Sequence, residues 1–383
     1  MDYNKLTEEH GSPIYIFDGD YAIERANMIQ KKLGTNAKLC YAIKANAFLL
    51  QALKDEDILF EVCSPGELSI CEKYNVNPSK IVFSGVCKTE EDVRRAYNLK
   101  VNTITLESKN HLEHLLKVVS TEEKHNQDVI IRLTSGNQFG MSTDDVYECT
   151  EKIKNCPSLN LRGIHFFTGT QKKLNKITEE IAFIENFCDE LKAKTGAEFN
   201  SIEYGPGIGY NYFTQEDESS NYSALEEFAS LIKNSKYSYV IELGRFVASP
   251  CGQYVSKIMD IKEDGDAKYI IIDGGMNHIN YYGQMMGMKN PKIEHIKQIK
   301  SSLDIQNYTI AGSLCTTADI VLRRLPLNCP CKDDILVFKD IGAYSITEAI
   351  YLFLSHPLPA VVLKINDSLT LLRNISETYI MNS

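Results

Sequence analysis

Residues 161–209 read LRGIHFFTGTQKKLNKITEEIAFIENFCDELKAKTGAEFNSIEYGPGIG. The two ends, LRGIHFFTG and SIEYGPGIG, are short runs rich in β-branched and aromatic residues, as strands are. Between them ITEEIAFIENFCDELKAKTG repeats its apolar residues every three or four positions and closes on Lys192, Lys194 and Gly196, an amphipathic helix with its stop signal. Strand, helix and strand make a βαβ unit, and such units build parallel sheets.

The same alternation extends in both directions. KLCYAIKAN (38–46), ILFEVCS (58–64), KIVFSG (80–85), TITLES (103–108) and VIIRLTS (129–135) come before, and YVIELGRFV (239–247) follows, most of them separated by polar, helix-periodic stretches. Eight units over this length predict a closed (β/α)8 TIM barrel, with a doubly wound open sheet as the alternative. Beyond Pro250 the segments GQYVSKIMDIKED, AKYIIIDGG, NYTIAGSL, DILVFKDIGAY and PAVVLKIND are strand-like and lack good intervening helices, which predicts a mostly antiparallel β-sandwich or β-barrel domain. PIYIFD (13–18) precedes the first helix and is expected to join that C-terminal sheet. The expected division is a barrel over residues 25–250 and a β domain made of 1–24 and 251–383.

The chain has 383 residues, 43% of them hydrophobic, and a net charge of −10, a globular composition with ample core for two domains. Negative charge without a basic, aromatic-interleaved block argues against a nucleic-acid partner. MDYNKLTEEHGSP lacks the basic and apolar regions of a secretory signal, and the most apolar stretch, YLFLSHPLPAVVL, is broken by His356 and two prolines. No membrane association is expected, and the expected location is cytoplasmic. The eleven cysteines are scattered, mainly within apolar runs, and read as reduced core thiols. Cys329 and Cys331 have no second Cys or His pair at zinc-finger spacing, so no metal site is expected.

Barrels take their reactive groups from the C-terminal ends of their strands. Lys44 in YAIKAN ends an apolar run; it is either a surface lysine or a partly desolvated amine able to form Schiff bases. FEVCSPGEL carries Glu61, Ser64 and Glu67, of which the last two have capping-box spacing. GIHFFTGTQ gathers His165, Phe167 and Thr170 about a glycine. Gly205, Gly207 and Gly209 in GPGIGY do not fit the dinucleotide spacing, and form either a tight turn or a phosphate-binding one. Glu242 and Arg245 in ELGR are either an ion pair or opposite ends of a ligand clamp.

YAIKAN, SPGEL, QFG, GIHFFTGTQ, GPGIG, ELGR, DGGMNH, GSLCTTAD and GAY follow in the order of the signature segments of the fold-type III pyridoxal-phosphate (PLP) decarboxylases, the diaminopimelate, ornithine and arginine decarboxylase group, which this chain resembles over nearly its whole length. The resemblance implies that Lys44 joins PLP as a Schiff base and that Glu242 keeps the cofactor's ring nitrogen protonated. It implies a phosphate site on Gly205 and Gly207, with Thr170 in place of the usual serine and with Gly244, Arg245 and Tyr344 closing it. Glu61 matches an acid near the Schiff base, and His165 the first histidine of H-x-H-x-G-S. Phe167 stands where the second, ring-stacking histidine is expected, so an aromatic face is kept. Cys315 matches the cysteine that the partner subunit contributes for reprotonation, which implies a homodimer with shared active sites. Asp319 matches the aspartate closing that segment. Thr316, Asp319, His278 and Tyr281 are the expected substrate contacts.

Two departures bear on the substrate. Thr316 replaces an acid that several family members carry after the cysteine, and HINYYGQMMG lacks the arginine expected after DGGMN, having Tyr281 and Tyr282 instead. The expected activity is therefore PLP-dependent decarboxylation of an amino acid or amino-acid conjugate other than meso-diaminopimelate. The alternatives are an amino-acid racemase and a non-catalytic PLP-binding protein. A dinucleotide enzyme built on GPGIGY would need an acidic ribose-binding residue where QEDESSNYSALEEF reads as a loop and helix.

Overall fold

The computed structural model describes residues 1–213, 219–285, 287–298 and 305–383. Two compact units share the chain: residues 23–210 with 218–246, and residues 1–22 with 211–217 and 247–383. The first strand, β1 (Ile14–Asp18), belongs to the second of these.

The first unit is a closed barrel of eight parallel strands: β2 (Ala37–Ala42), β3 (Leu59–Val62), β4 (Ile81–Phe83), β5 (Thr103–Leu106), β6 (Gln127–Arg132), β7 (Leu159–Phe167), β8 (Ser201–Gly205) and β9 (Ser238–Leu243). β9 pairs back onto β2, with Cys40 opposite Glu242, so the open-sheet alternative is excluded. Side-chain caps set the helix starts: Ser64, Thr89, Ser108 and Ser142 each accept a hydrogen bond from the backbone N–H three residues on. The helix Leu174–Thr195 stops where Gly196 turns left-handed at φ 64°. The loop-and-helix reading of residues 215–228 lies partly outside the described residues; from Ser219 the chain is helical to Ile232.

The second unit carries β10 (Gly252–Asp264), β11 (Ala267–Ile272), β12 (Ile293–Ile296), β13 (Ile305–Ala311), β14 (Ile320–Asn328), β15 (Ile335–Lys339), β16 (Ala360–Ile365) and β17 (Ser368–Arg373). Its main sheet runs β14-β13-β11-β10-β1-β16-β17, and β15 joins β10 to β12. β1 lies antiparallel to β10 and parallel to β16, so PIYIFD joins the C-terminal sheet, where Ile14 and Ile16 pack with Val255, Val337 and Val362. The pairings are mostly antiparallel, with β1–β16 and β11–β13 the parallel ones among those described. IVLRRLPLN did not read as a strand because irregular register against β13 exposes Arg323 and Arg324 in succession, which breaks the period of two. Among the described residues no helix is long and apolar enough to cross a membrane.

Candidate active site

β2 stops at Ala42, and Ile43–Ala45 turns as a 3-10 helix, which carries Lys44 off the strand end. Its side chain keeps 42% exposure while its Nζ pairs with the carboxylate of Glu61, which is 5% exposed. Cys63 completes the group: its Sγ lies 3.6 Å from Nζ and donates to Glu61 Oε1 at 3.2 Å. Burial, then the charge of Glu61, pushes this thiol well above its ordinary range. Ser64 and Glu67 are capping residues, as expected. Ser64 Oγ accepts from Glu67 N at 3.1 Å, and the Glu67 carboxylate reaches back to Cys63 N at 2.6 Å.

Deeper in the barrel, His165 and Glu203 are register partners on β7 and β8, and Glu242 stands on β9. The three offer polar atoms within 4.8 Å of one another, all buried. His165 Nε2 lies 3.4 Å from Glu242 Oε1, yet neither ring nitrogen, nor Glu242 Oε1, nor Glu203 Oε1 has a hydrogen-bond partner of good geometry. Burial would raise the Glu242 carboxyl, but His165, Glu203 and Lys44 together hold it well below its usual range. Glu203 goes the other way, pushed far up by burial and by the charge of Glu242. Two carboxylates this close repel each other when both are ionised.

The turns that follow β7 and β8 lie against each other. A Cβ on Gly205 would sit 2.4 Å from the Phe167 ring, and one on Gly207, at φ +61°, would sit 2.2 Å from Gly169 O, so both positions need glycine. Thr170 is exposed on the first turn. Lys172 N donates to Gly207 O at 2.9 Å, and Gln171 Oε1 accepts from Tyr210 N at 3.0 Å. The Lys172 ammonium donates to Gly205 O at 3.1 Å, to Thr168 Oγ1 at 3.1 Å and to Glu180 at 2.6 Å; Tyr204 OH donates to the same carboxylate at 2.7 Å. Gly244 and Arg245 follow β9 directly.

Glu203, the Lys172–Glu180 pair and three further buried groups were not singled out in the sequence. Arg132, at the end of β6, donates to Glu107 at 3.1 Å, and both are buried. Lys88 is 5% exposed and donates to Gly85 O; burial lowers it to about 8, against the pull of Glu107. The available signal was a lone charge inside an apolar run, as in IIR and IEY.

In the second unit Cys315 is exposed on the turn between β13 and β14, with Thr316 half-buried beside it. Asp319 is buried and accepts from Met276 N and Leu314 N, both at 2.8 Å, while its carboxylate fills the space beside Gly275 and Gly312. His278 is buried, its ring nitrogens facing Tyr254 OH at 2.9 Å and Asn277 Nδ2 at 3.2 Å, and burial lowers it to about 3. Tyr281 is buried against Tyr212, and its hydroxyl donates to Lys339 O at 2.6 Å. The polar atoms of these three expected substrate contacts are thus engaged within the unit. Tyr344 holds a left-handed φ of 67°, a strained backbone of the kind found at functional sites.

In the barrel, an amine at the mouth, a glycine turn where a Cβ would clash, and buried carboxylate and imidazole atoms without hydrogen-bond partners suit a ligand with a carbonyl, a phosphate and a basic ring nitrogen. Pyridoxal phosphate has all three. A family profile described as "Pyridoxal-dependent decarboxylase, pyridoxal binding domain" matches residues 20–249. The diaminopimelate decarboxylase of Zymomonas mobilis is 26% identical, over 96% of this chain and 91% of its own. The 2-[(L-alanin-3-ylcarbamoyl)methyl]-2-hydroxybutanedioate decarboxylase of Staphylococcus aureus is 28% identical, over 90% and 92%. Among solved structures, diaminopimelate decarboxylase from Helicobacter pylori complexed with L-lysine has the same fold, with a TM-score of 0.85 at 22% identity over 99% of this chain and 98% of that one.

Proposed function

The chain belongs to the pyridoxal-phosphate-dependent decarboxylases of the ornithine, arginine and diaminopimelate group, and from that premise we propose that it decarboxylates an amino acid, or an amino-acid conjugate, whose far end is not that of meso-diaminopimelate. Lys44 is the covalent anchor of the cofactor. The observation that carries this reading is the Lys44–Glu61 contact at the C-terminal end of the barrel, with the buried Glu242 carboxylate, whose Oε1 has no hydrogen-bond partner, deeper in the same barrel.

Bound pyridoxal phosphate accepts the electron pair released as the bond between Cα and the substrate carboxylate breaks. The protein's residues do the rest. Glu61 takes the proton that the Lys44 ammonium must lose before its nitrogen can bond to a carbonyl carbon. Glu242 holds the proton on the ring nitrogen, and His165 lines the same buried floor. The turn of Gly205 and Gly207, with Thr170, Gly244 and Arg245, binds the phosphate, and Phe167 offers a ring beside it. Cys315, supplied by a partner subunit, delivers the proton that replaces carbon dioxide. Asp319, held by Leu314 N and Met276 N, keeps the Cys315 segment in shape, and the ring of His278 is engaged by Tyr254 and Asn277.

The substrate reading rests on charge. Thr316 brings no anion after Cys315, and Tyr281, a neutral phenol where the family pattern has an arginine, brings no cation; its hydroxyl donates to Lys339 O. A site without these partners favours a substrate whose far end does not require them. The Staphylococcus aureus relative is itself named for a conjugated amino acid. Eleven free thiols support a reducing, cytoplasmic location.

The test is mass spectrometry of the PLP-loaded enzyme in deuterated water with free and N-acylated amino acids, diacids and diamines. Loss of carbon dioxide with uptake of one deuterium, from a substrate other than meso-diaminopimelate, is expected. Rapid decarboxylation of meso-diaminopimelate would overturn the substrate reading, and deuterium uptake without mass loss would replace decarboxylation by racemisation.

A further inference from the structure

SIEY sets one acid inside a strand that is buried at all five positions. Alternation along β8 turns Glu203 to the barrel interior, where it is 1% exposed and in register with His165. Groups from every side act on it: His165 on β7, Glu242 on β9, Cys40 on β2, Glu61 on β3 and Arg132 on β6. The cations among its surroundings already answer other anions, Arg132 through Glu107 and Lys44 through Glu61. Two buried carboxylates are left facing one imidazole, each with an oxygen that has no hydrogen-bond partner. Keeping both ionised in so dry a place is costly, and a proton on one of them removes the repulsion and creates a donor.

We propose that Glu203 is a positioning residue that carries a proton in the resting enzyme and donates it as a hydrogen bond to Glu242, keeping Glu242 ionised for the ring nitrogen of the cofactor. The inference rests on the reading that Glu242 meets that nitrogen. The two acids divide the labour by their company: burial and the charge of Glu242 disfavour the anion of Glu203, while Glu242 has His165 and Lys44 to stabilise its charge. A carboxylate that accepts a hydrogen bond is a weaker base. The proton between Glu242 and the ring therefore stays on nitrogen, where it draws electrons from the reacting carbon. Neither the lone Glu203 in IEY nor the Glu242 of ELGR implies this separately; the pairing of β8 with both β7 and β9 brings the three residues together.

The role is that of a neutral donor, so Glu203→Gln, which donates from its amide, should replace it and Glu203→Leu should not. Infrared difference spectra of the cofactor-free protein at pH 7 should show a protonated carboxyl stretch in the wild type that Glu203→Gln removes. With 15N-labelled pyridoxal phosphate, the ring nitrogen should stay protonated in the wild type and in Glu203→Gln, and lose its proton in part in Glu203→Leu. Retention should follow, with Kd for the cofactor roughly tenfold weaker in Glu203→Leu, the loss of one hydrogen bond to a charged group. Melting curves of both variants report folding separately. A carboxyl band that persists in Glu203→Gln, or equal nitrogen shifts in the two variants, would overturn the proposal. A band that Glu203→Gln removes from a protein that takes up no pyridoxal phosphate would overturn the cofactor reading and leave the shared proton standing.

Discussion

The ammonium of Lys172 donates to the carbonyl oxygen of Gly205 at 3.1 Å, so a side chain from the turn after β7 holds the backbone at the end of β8, where the glycine turn begins. The same ammonium pairs with Glu180, and the two side chains are only 8% and 4% exposed. Burial pulls Lys172 down against the pull of Glu180, whereas Lys172, Thr168 and Tyr204 keep Glu180 ionised in spite of its burial.

Breaking this pair from one side leaves a buried charge alone. Lys172→Met should cost about 3–5 kcal/mol of stability, and the double variant Lys172→Met/Glu180→Leu should cost less than the single one. Both should hold pyridoxal phosphate more weakly, because the glycine turn loses its tie in each. Thermal melts of the cofactor-free proteins check the first expectation and equilibrium dialysis the second. A double variant with wild-type affinity would make the pair a matter of stability alone.

Lys44→Ala removes the amine that anchors the cofactor but leaves the glycine turn intact. The variant should lose the visible absorption of the lysine-bound cofactor and release pyridoxal phosphate on gel filtration, while its melting curve without cofactor remains a single cooperative transition, lowered because the buried Glu61 carboxylate loses its partner. Absorption at the wild-type position would take Lys44 out of the reading.

Much of this was legible in the sequence, and the reason is periodicity. Each barrel strand is a short apolar run bounded by a helical stretch, so ILFEVCS or KIVFSG can be read without any partner. Lys44, Glu61 and Glu242 were visible as charges where an apolar run ends. Glu203, Arg132 and Glu107 sit in equally apolar runs but gain meaning only from neighbours on other strands, as Arg132 does from Glu107 at 3.1 Å. Lys172 and Glu180 lie eight residues apart across a turn and two turns of helix, a pairing that composition does not announce. Tyr281 and His278 were placed at the substrate because their segment resembles a signature, whereas packing engages the hydroxyl of one and both ring nitrogens of the other.

Lys88 gives a pH signature of its own. Its folded pKa is lowered to about 8 by burial, below the usual value for an unfolded chain. Below pH 8 the lysine is charged in both states and its burial is a constant penalty. Between about pH 8 and 10.4 the unfolded chain binds the extra proton, so the wild type should gain stability relative to Lys88→Met, by at most about 1.4 kcal/mol per pH unit. Paired urea titrations at successive pH values measure this slope, and parallel curves would mean that Lys88 titrates normally.

Cys315 lies exposed on the turn after β13, where a proton donor can be presented to another molecule. If each active site takes Lys44 from one subunit and Cys315 from the other, Lys44→Ala and Cys315→Ala should each be nearly inactive as pure proteins. Subunit exchange between them would make about half of the dimers mixed, and each mixed dimer would have one complete site and one lacking both residues. Activity should therefore return to about a quarter of the wild-type value after denaturation and joint refolding, and the cofactor content of the mixture should be half that of the wild type. Sites built within one subunit would give no recovery, because every chain would carry one defect into its own site. Sedimentation of the two variants before mixing separates that result from a failure to dimerise.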